Sequence, residues 1–546
     1  MTDDDEPRSR RPSLRLPALR LPVFRRPSAA LMRGGARGAG VLGAAAVGLG
    51  VILIASALTG SISTIAAPRL TIQPTSAAEV RLCAGPVVRL GGASGSQATV
   101  ATSAGQPIVV SASRPGEAQR APLSVTDNVT GVAPELLTLA PSTTAADSTA
   151  PPEAPELAAS QSEAVDAGTF AGFAAADCLE ATSEAWISAG ATTVGRTALI
   201  SISNPSSVEA TVDLTIWGDV GEVSAPGTTG IIVPPGTQRI YPLAGFAPGL
   251  TSTVVRVESR GGPVVATMHE SIVRTLVAGG VDIVGPTSAP DTSVTIPGVV
   301  IANSAAVTAA GAELGFDDLG PVIRLLNPGT GTANASVTIV RAEGSATSMG
   351  PQTVVPDAAV PDAAVPDPAV PDPAVPDPVV PAAGNLGGTP TFTVSLEPGV
   401  VLDLPIQGLA DGVYTVSVTS SAPVTASARV NTITPAGLSD LAWVASAEPL
   451  GATSLVAVAP GPSPILTMAN PTGETISVTM SDGDSGLEFD VEPEASVAVA
   501  VSPRASLVLT GTDGLVAAVS YHGPGALATF PVSVPLVSST AVRVYR

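Results

Sequence analysis

Side chains suited to proton transfer, metal binding or nucleophilic attack are few in this 546-residue chain, which has two His, two Cys and no Lys. His269 and His522 close two long apolar runs, VVRVESRGGPVVATMHE and SLVLTGTDGLVAAVSYHG. We therefore expect them at matching strand positions of a repeated module, too far apart to share one zinc ion. The strings around Ser94 (GGASGS) and Ser485 (DGDSGL) both lack the second glycine of a G-x-S-x-G nucleophile elbow. Asp482-Gly-Asp484-Ser-Gly486 starts like a calcium loop but lacks the third acid and the distal bidentate Glu, so it reads as a hairpin turn. Without Lys there is no Walker A motif, and no strand-coupled G-x-G-x-x-G opens a helix. The expectation is a protein that is not an enzyme, with no catalytic, cofactor-binding or metal residues. Carboxylate pairs leave no motif, so a cryptic glycoside hydrolase stays as an alternative.

These sparse groups must be carried by a scaffold of a particular kind. Gly (55) and Pro (53) are abundant and aromatics scarce, which favours turns and short strands of Val, Ala and Thr over long helices. All 25 basic residues are Arg, a bias expected of a GC-rich bacterial genome. They are also unevenly placed. Residues 1–37 hold nine Arg against four acids, leaving 16 Arg against 42 acids downstream. A distal part so acidic repels phosphate backbones, which excludes nucleic acid as a partner there.

Residues 38–68 contain no charge apart from their flanks, and the run VGLGVILIASAL within them is long enough to cross a bilayer. The Arg-rich side precedes it, so the N-terminus is expected in the cytoplasm and the remainder outside. A cleaved signal peptide is the rival reading. It is disfavoured by the length of the apolar segment and by Pro68 after Ala66-Ala67. The 1–37 tail, with LRLP at Leu14–Pro17 and again at Leu19–Pro22, is too rich in Pro for a stable helix. Cys83 and Cys178 then fall on the outer side, where an even pair is most simply a disulfide.

Comparing the outer part with itself reveals a repeat. Asn204-Pro205, Asn327-Pro328 and Asn470-Pro471 each follow an apolar strand (ALISIS, VIRLL, PILTMA) and precede another (ATVDLTIWG, ASVTIVRAEG, ISVTMSDG). A turn at Pro235-Gly236, Pro398-Gly399 or Pro493-Glu494 and a closing hairpin complete each copy. The fold class is therefore mainly β: a single N-terminal transmembrane helix followed by antiparallel β-sandwich-like modules. The expected organisation is tail 1–37, signal anchor 38–68, an N-terminal β segment 69–185, and modules at 186–290, 291–445 and 446–546. Within the first segment, 134–166 is Ala, Pro, Ser, Thr and Glu with few large apolar residues, and reads as a mobile loop. Within the second module, five V-P-D-x-x pentapeptides over 355–381 read as an extended proline-rich arm. Trp186, Trp217 and Trp443 could serve as interface aromatics, or could pack between modules.

The Arg-rich tail and single anchor, Cys83-Ala-Gly-Pro86, the segment Cys178–Trp186, Gly195-Arg196 with the first Asn-Pro turn, and Asp440-Leu-Ala-Trp443 together resemble an uncharacterised actinobacterial family. Ala84 stands where Pro is expected, and the V-P-D insert is private to this chain. The resemblance implies a membrane-anchored, extracytoplasmic, β-rich protein associated with the cell envelope, and no known activity. The expected role is thus a non-enzymatic envelope scaffold or binding protein held in the cell membrane by residues 38–68. Its partner would be a cell-wall polymer or a membrane protein. An accessory subunit of an envelope glycosyltransferase or assembly complex is the alternative.

Overall fold

In the computed structural model, residues 69–72, 78–90, 101–125, 129–141, 156–344, 390–483, 485–535 and 542–545 are described. The tail, the anchor segment 38–68 and the V-P-D insert all lie outside them. Among the described residues no helix is long and apolar enough to cross a membrane. The described residues fall into two compact units, 69–72 with 542–545, and those between 78 and 535. In the first, Arg69–Ile72 pairs antiparallel with Val542–Tyr545. These residues were expected in the N-terminal segment and the third module. RLTI and VRVY instead satisfy each other's backbone groups, since a short isolated strand leaves them unpaired.

The larger unit holds three sandwiches, each repeating one scheme. In module one, Glu184–Ser188, Thr253–Gly261, Ala210–Gly218 and Gly221–Val223 form one sheet, with Ile231–Val233 on the edge of Ala210–Gly218. Val277–Val284, Val265–Arg274, Arg196–Asn204 and Thr237–Pro242 form the other, joined in parallel by Ser124–Val125 of the N-terminal segment. Alternation such as that of ATVDLTIWG puts every second side chain inside. Ile200, Ile202, Val212, Ile216, Val255 and Met268 fill the resulting core.

Module two departs from the scheme at its closing hairpin. Module one turns its closing hairpin through Gly261-Gly262-Pro263, and module three through Gly511 and Gly514, both with positive φ. The corresponding SSAPV segment of module two contains no glycine, and Gly412–Ile433 runs on as one strand. Its first half pairs with Asp291–Ile301 and Ala333–Arg341, its second half with Val322–Leu326 and Ser439–Ala445. One strand thereby belongs to both faces of the sandwich. Module three has the sheet Thr453–Ala457, Ser506–Thr510, Ile476–Ser481, Gly486–Val491 facing Ser496–Ala500, Ile465–Ala469, Val516–Gly523, Ala526–Pro531.

The three Asn-Pro turns share one hydrogen-bond set. Asn204 Nδ2 donates to Val208 O and Val233 O, Asn327 Nδ2 to Gly331 O and Leu396 O, and Asn470 Nδ2 to Glu474 O and Val491 O. Each Oδ1 accepts from the backbone N–H two residues on, at Ser206, Gly329 or Thr472. Each backbone carbonyl also accepts from Gly236, Gly399 or Glu494, all at positive φ. The repeated Asn is therefore a buried clip that satisfies the corner where the chain passes between sheets.

The segment 134–166 is not one long loop. Glu135–Leu139 pairs with Glu79–Leu82 and Gln119–Pro122, and Glu156–Ala167 is a strand between Ile108–Arg114 and Phe170–Asp177. Its small residues Ala159, Ser160 and Ser162 are buried, and the two serines meet module three: Ser160 Oγ donates to Ala457 O and Ser162 Oγ to Pro460 O. Low apolar bulk here reflects close packing between layers.

Candidate functional site at the junction of the modules

Asp440 occupies a fully buried strand, Ser439–Ala445. Its Oδ2 accepts from the backbone N–H of Phe173 (2.8 Å) and Leu527 (2.9 Å), and its Oδ1 from that of Val281 (3.1 Å). The three donors belong to the N-terminal segment, module three and module one, while Asp440 itself belongs to module two. A single carboxyl group therefore joins all four parts. Two glycines clear its place. A Cβ on Gly172 would lie 2.4 Å from Asp440 Oδ1 and one on Gly280 2.6 Å from it, both at positive φ. Burial pushes the Asp440 carboxyl well above its usual range, and the backbone donors offset only part of that.

One and three residues on, Leu441 and Trp443 lie in the core of module one. The backbone N–H of Trp443 donates to Asp282 Oδ2 at 2.7 Å, and Asp282 is raised by burial. Glu270 stands opposite Asp282 in the ladder and is likewise raised by burial. The register sets two acidic residues opposite each other, but at 2% and 0% exposure neither is accessible to a substrate.

The wall between modules one and two contains a buried ion pair. Arg324, 0% exposed, is bidentate to Asp403 through Nε (2.7 Å) and Nη2 (2.8 Å). Its Nη1 donates to Gly190 O and Thr253 O of module one, and its guanidinium lies 4.3 Å from the Trp443 ring centroid. Nearby, Asp318 takes Arg274 (2.8 Å) and Arg196 (2.5 Å). Burial opposes ionisation of Asp318, but the hydrogen bond and charge of Arg274, followed by Arg429 and Arg196, outweigh it and hold the carboxyl at about 2. Asp403 is lowered in the same way, chiefly by Arg324 against burial.

The residues singled out from sequence lie as follows. Cys83 and Cys178 form a disulfide, both wholly buried. Trp186 and Trp217 stack at 5.3 Å between centroids and pack with Val254, Leu326 and Val401, so they fill the seam between modules one and two. Trp443 lies in the junction itself. His269 pairs in register with Leu199, five positions before Asn204, whereas Ser520 rather than His522 pairs with Ile465, five before Asn470. The two histidines are therefore offset by two residues, a correction to the matching positions expected of them, because the two hairpins differ in how far their apolar runs extend past the corner. Burial holds His269 neutral, with its pKa down at about 4. Asp482 Oδ1 accepts from Ser485 N and Oγ, closing a hairpin turn.

Sequence reasoning quoted Asp440 only within the string Asp440-Leu-Ala-Trp443, with no role for its carboxyl, and missed Asp282, Arg324 and Asp403. The available signal was a charge inside an otherwise apolar strand, as in SDLAWVA and VIRLL.

The fold and junction together define a multi-module β protein whose sandwiches are locked by buried polar contacts. Residues 129–360 and 379–510 match the family of unknown function DUF5719, about two thirds of the chain, and the protein belongs to that family. No curated protein and no solved structure matches it.

Proposed function

We propose that this protein is a membrane-anchored, extracytoplasmic scaffold of the cell envelope, in which the modules present one fixed surface to a wall polymer or a membrane protein. The observation that carries this reading is the Asp440 node. Four parts of the chain contribute to one buried hydrogen-bonded centre, so they hold a fixed mutual geometry, as a spacer or platform requires. The wholly buried Cys83–Cys178 disulfide supports an oxidising compartment. The Arg-rich segment before residues 38–68 supports the assigned orientation. The most conspicuous carboxylates are engaged in holding the modules together, which favours a binding role over hydrolysis.

The test is retention of the detergent-solubilised full chain on intact and stepwise stripped envelopes, with cross-linking to identify bound proteins. Saturable retention lost with one polymer, or one recurrent membrane partner, is expected. The absence of both retention and a recurrent partner would overturn the proposal.

A further inference from the structure

In each sandwich the strand that runs into the proline turn lies at the edge of its sheet, and the three edges differ in kind. In module one it is Ile231–Val233, three residues long and stopped by Pro234-Pro235. In module three it is Gly486–Val491 and in module two Thr391–Leu396, each six residues long with the same alternation of exposed and covered positions. Counted back from the proline turns, the exposed Glu488 and Asp490 of module three correspond to Thr393 and Ser395 of module two. An open edge is a template for another strand, and natural sheets protect it by shortness, proline or charge. The strand of module two has none of these.

The edge itself is regular. Ile339 N donates to Pro390 O, and the ladder with Ala333–Arg341 continues from there, so Phe392, Val394 and Leu396 direct their backbone groups to that strand. The N–H and C=O of Thr391, Thr393 and Ser395 point the other way, and among the described residues no strand pairs with them. Their side chains are exposed, and the face they share with Asn334, Ser336 and Thr338 carries hydroxyls and one amide but no charge.

We infer that two copies of this chain join along this edge, Thr391–Leu396 pairing antiparallel with itself about a two-fold axis at Thr393. Such a contact is isologous, so one surface supplies both sides. Thr393 exchanges both backbone hydrogen bonds with Thr393 of the second copy, and Thr391 does so with Ser395 of the second copy. Phe392 and Val394, which pack on the core of module two, meet Val394 and Phe392 of the second copy across the axis. The charge pattern selects this occupant. The same self-pairing in module three would set Glu488 against Glu488, and like charges directly opposite destabilise a ladder, whereas the hydroxyls of module two bring no such repulsion. The acidity of the whole chain acts from further away, where physiological salt screens it beyond roughly 8 Å. The V-P-D repeat that precedes the strand in sequence is a poor occupant, because proline lacks the N–H that a ladder needs. The inference stands apart from the scaffold reading, which concerns a different partner.

The test is sedimentation of the detergent-solubilised full chain at micromolar concentrations, where a dimer is expected. Thr393→Glu should raise the dimer dissociation constant at least about tenfold. It should leave the thermal unfolding midpoint unchanged, since module three carries Glu488 at the same exposed position. A cysteine provides a second, independent measurement. Cys83 and Cys178 are paired with each other, so the thiol introduced by Thr393→Cys is the only free one in the chain. A residue on the two-fold axis meets itself at a Cα separation of roughly 5.5 Å, within reach of a disulfide, so mild oxidation should yield a covalent dimer. Ser395→Cys lies too far from its own copy in this register and should not cross-link. A monomer throughout, or a dimer that Thr393→Glu leaves equally stable, overturns the interface. Cross-linking of Thr393→Cys no greater than that of Ser395→Cys overturns the axis at Thr393.

Discussion

Asp403 and Asp440 are acidic residues on strands of the same module, both facing other modules, yet their environments act on them in opposite directions. Asp403 meets the bidentate guanidinium of Arg324 and is held below the usual carboxylate range. Asp440 meets only backbone N–H groups from three directions and is pushed far above it. Both are closely hydrogen-bonded, so the number of contacts does not explain the contrast. A full opposing charge outweighs the loss of water, and dipoles do not. The molecule thus uses ion pairs where two modules meet and a carboxyl without a cation where four parts meet. At the second place a charged partner would need room that Gly172 and Gly280 have given to the carboxyl itself.

Breaking the ionic wall should have the largest effect. Arg324→Met leaves Asp403 without its cation and the Gly190 and Thr253 carbonyls without a donor, and should destabilise by about 3–5 kcal/mol in chemical denaturation. A loss below about 1 kcal/mol would mean that the modules are held together mainly by apolar packing. Asp440→Asn keeps the shape but turns an amide N–H₂ toward donors, and should cost about 2–3 kcal/mol. If the modules then unfold in separate transitions, the node is what makes them cooperative.

The contrast also sets the pH dependence. Burial raises Glu163 to about 7 and Asp177 to about 6. A carboxyl raised on folding binds its proton more tightly in the native state, so its contribution is greatest at low pH and declines as pH rises from about 4 to about 7. Asp318, held at about 2, works in the other direction, and its contribution is lost as pH falls from about 4 to about 2. Unfolding midpoints should therefore fall between pH 5 and 7 and also below pH 4. Glu163→Gln should flatten the first limb, and Asp318→Asn the second. The smallest effect serves as the control: the Arg260–Asp213 pair has its Arg 73% exposed, and Arg260→Ala should change stability by less than about 1 kcal/mol at low salt and by nothing measurable at high salt.

Much of the fold was legible. The Asn-Pro turns marked the repeated corners because the corner's chemistry is largely local: one side-chain amide satisfies backbone groups two and four residues away, as well as one on the facing sheet. The cysteine pairing followed from there being only two. The segment 134–166 misled because composition reports how much apolar surface a stretch can bury, not how close a neighbouring layer comes. Ala159, Ser160 and Ser162 of Glu156–Ala167 are buried, and both serines donate to carbonyls of module three, at Ala457 and Pro460. The offset of His269 and His522 could not be seen either, since register depends on pairing across the sheet.

By itself the sequence determined the β class, the triplicate corner and the strong charge asymmetry, because alternation, turn chemistry and net charge act over a few residues or over the whole chain. Only the tertiary structure decided that Asp440 meets Phe173, Val281 and Leu527, and that Arg324 reaches Asp403 and module one. Those partners are 71 to 267 positions apart in the chain. The charge state of a buried group is set by whichever strands the packing brings beside it, and no local pattern encodes that.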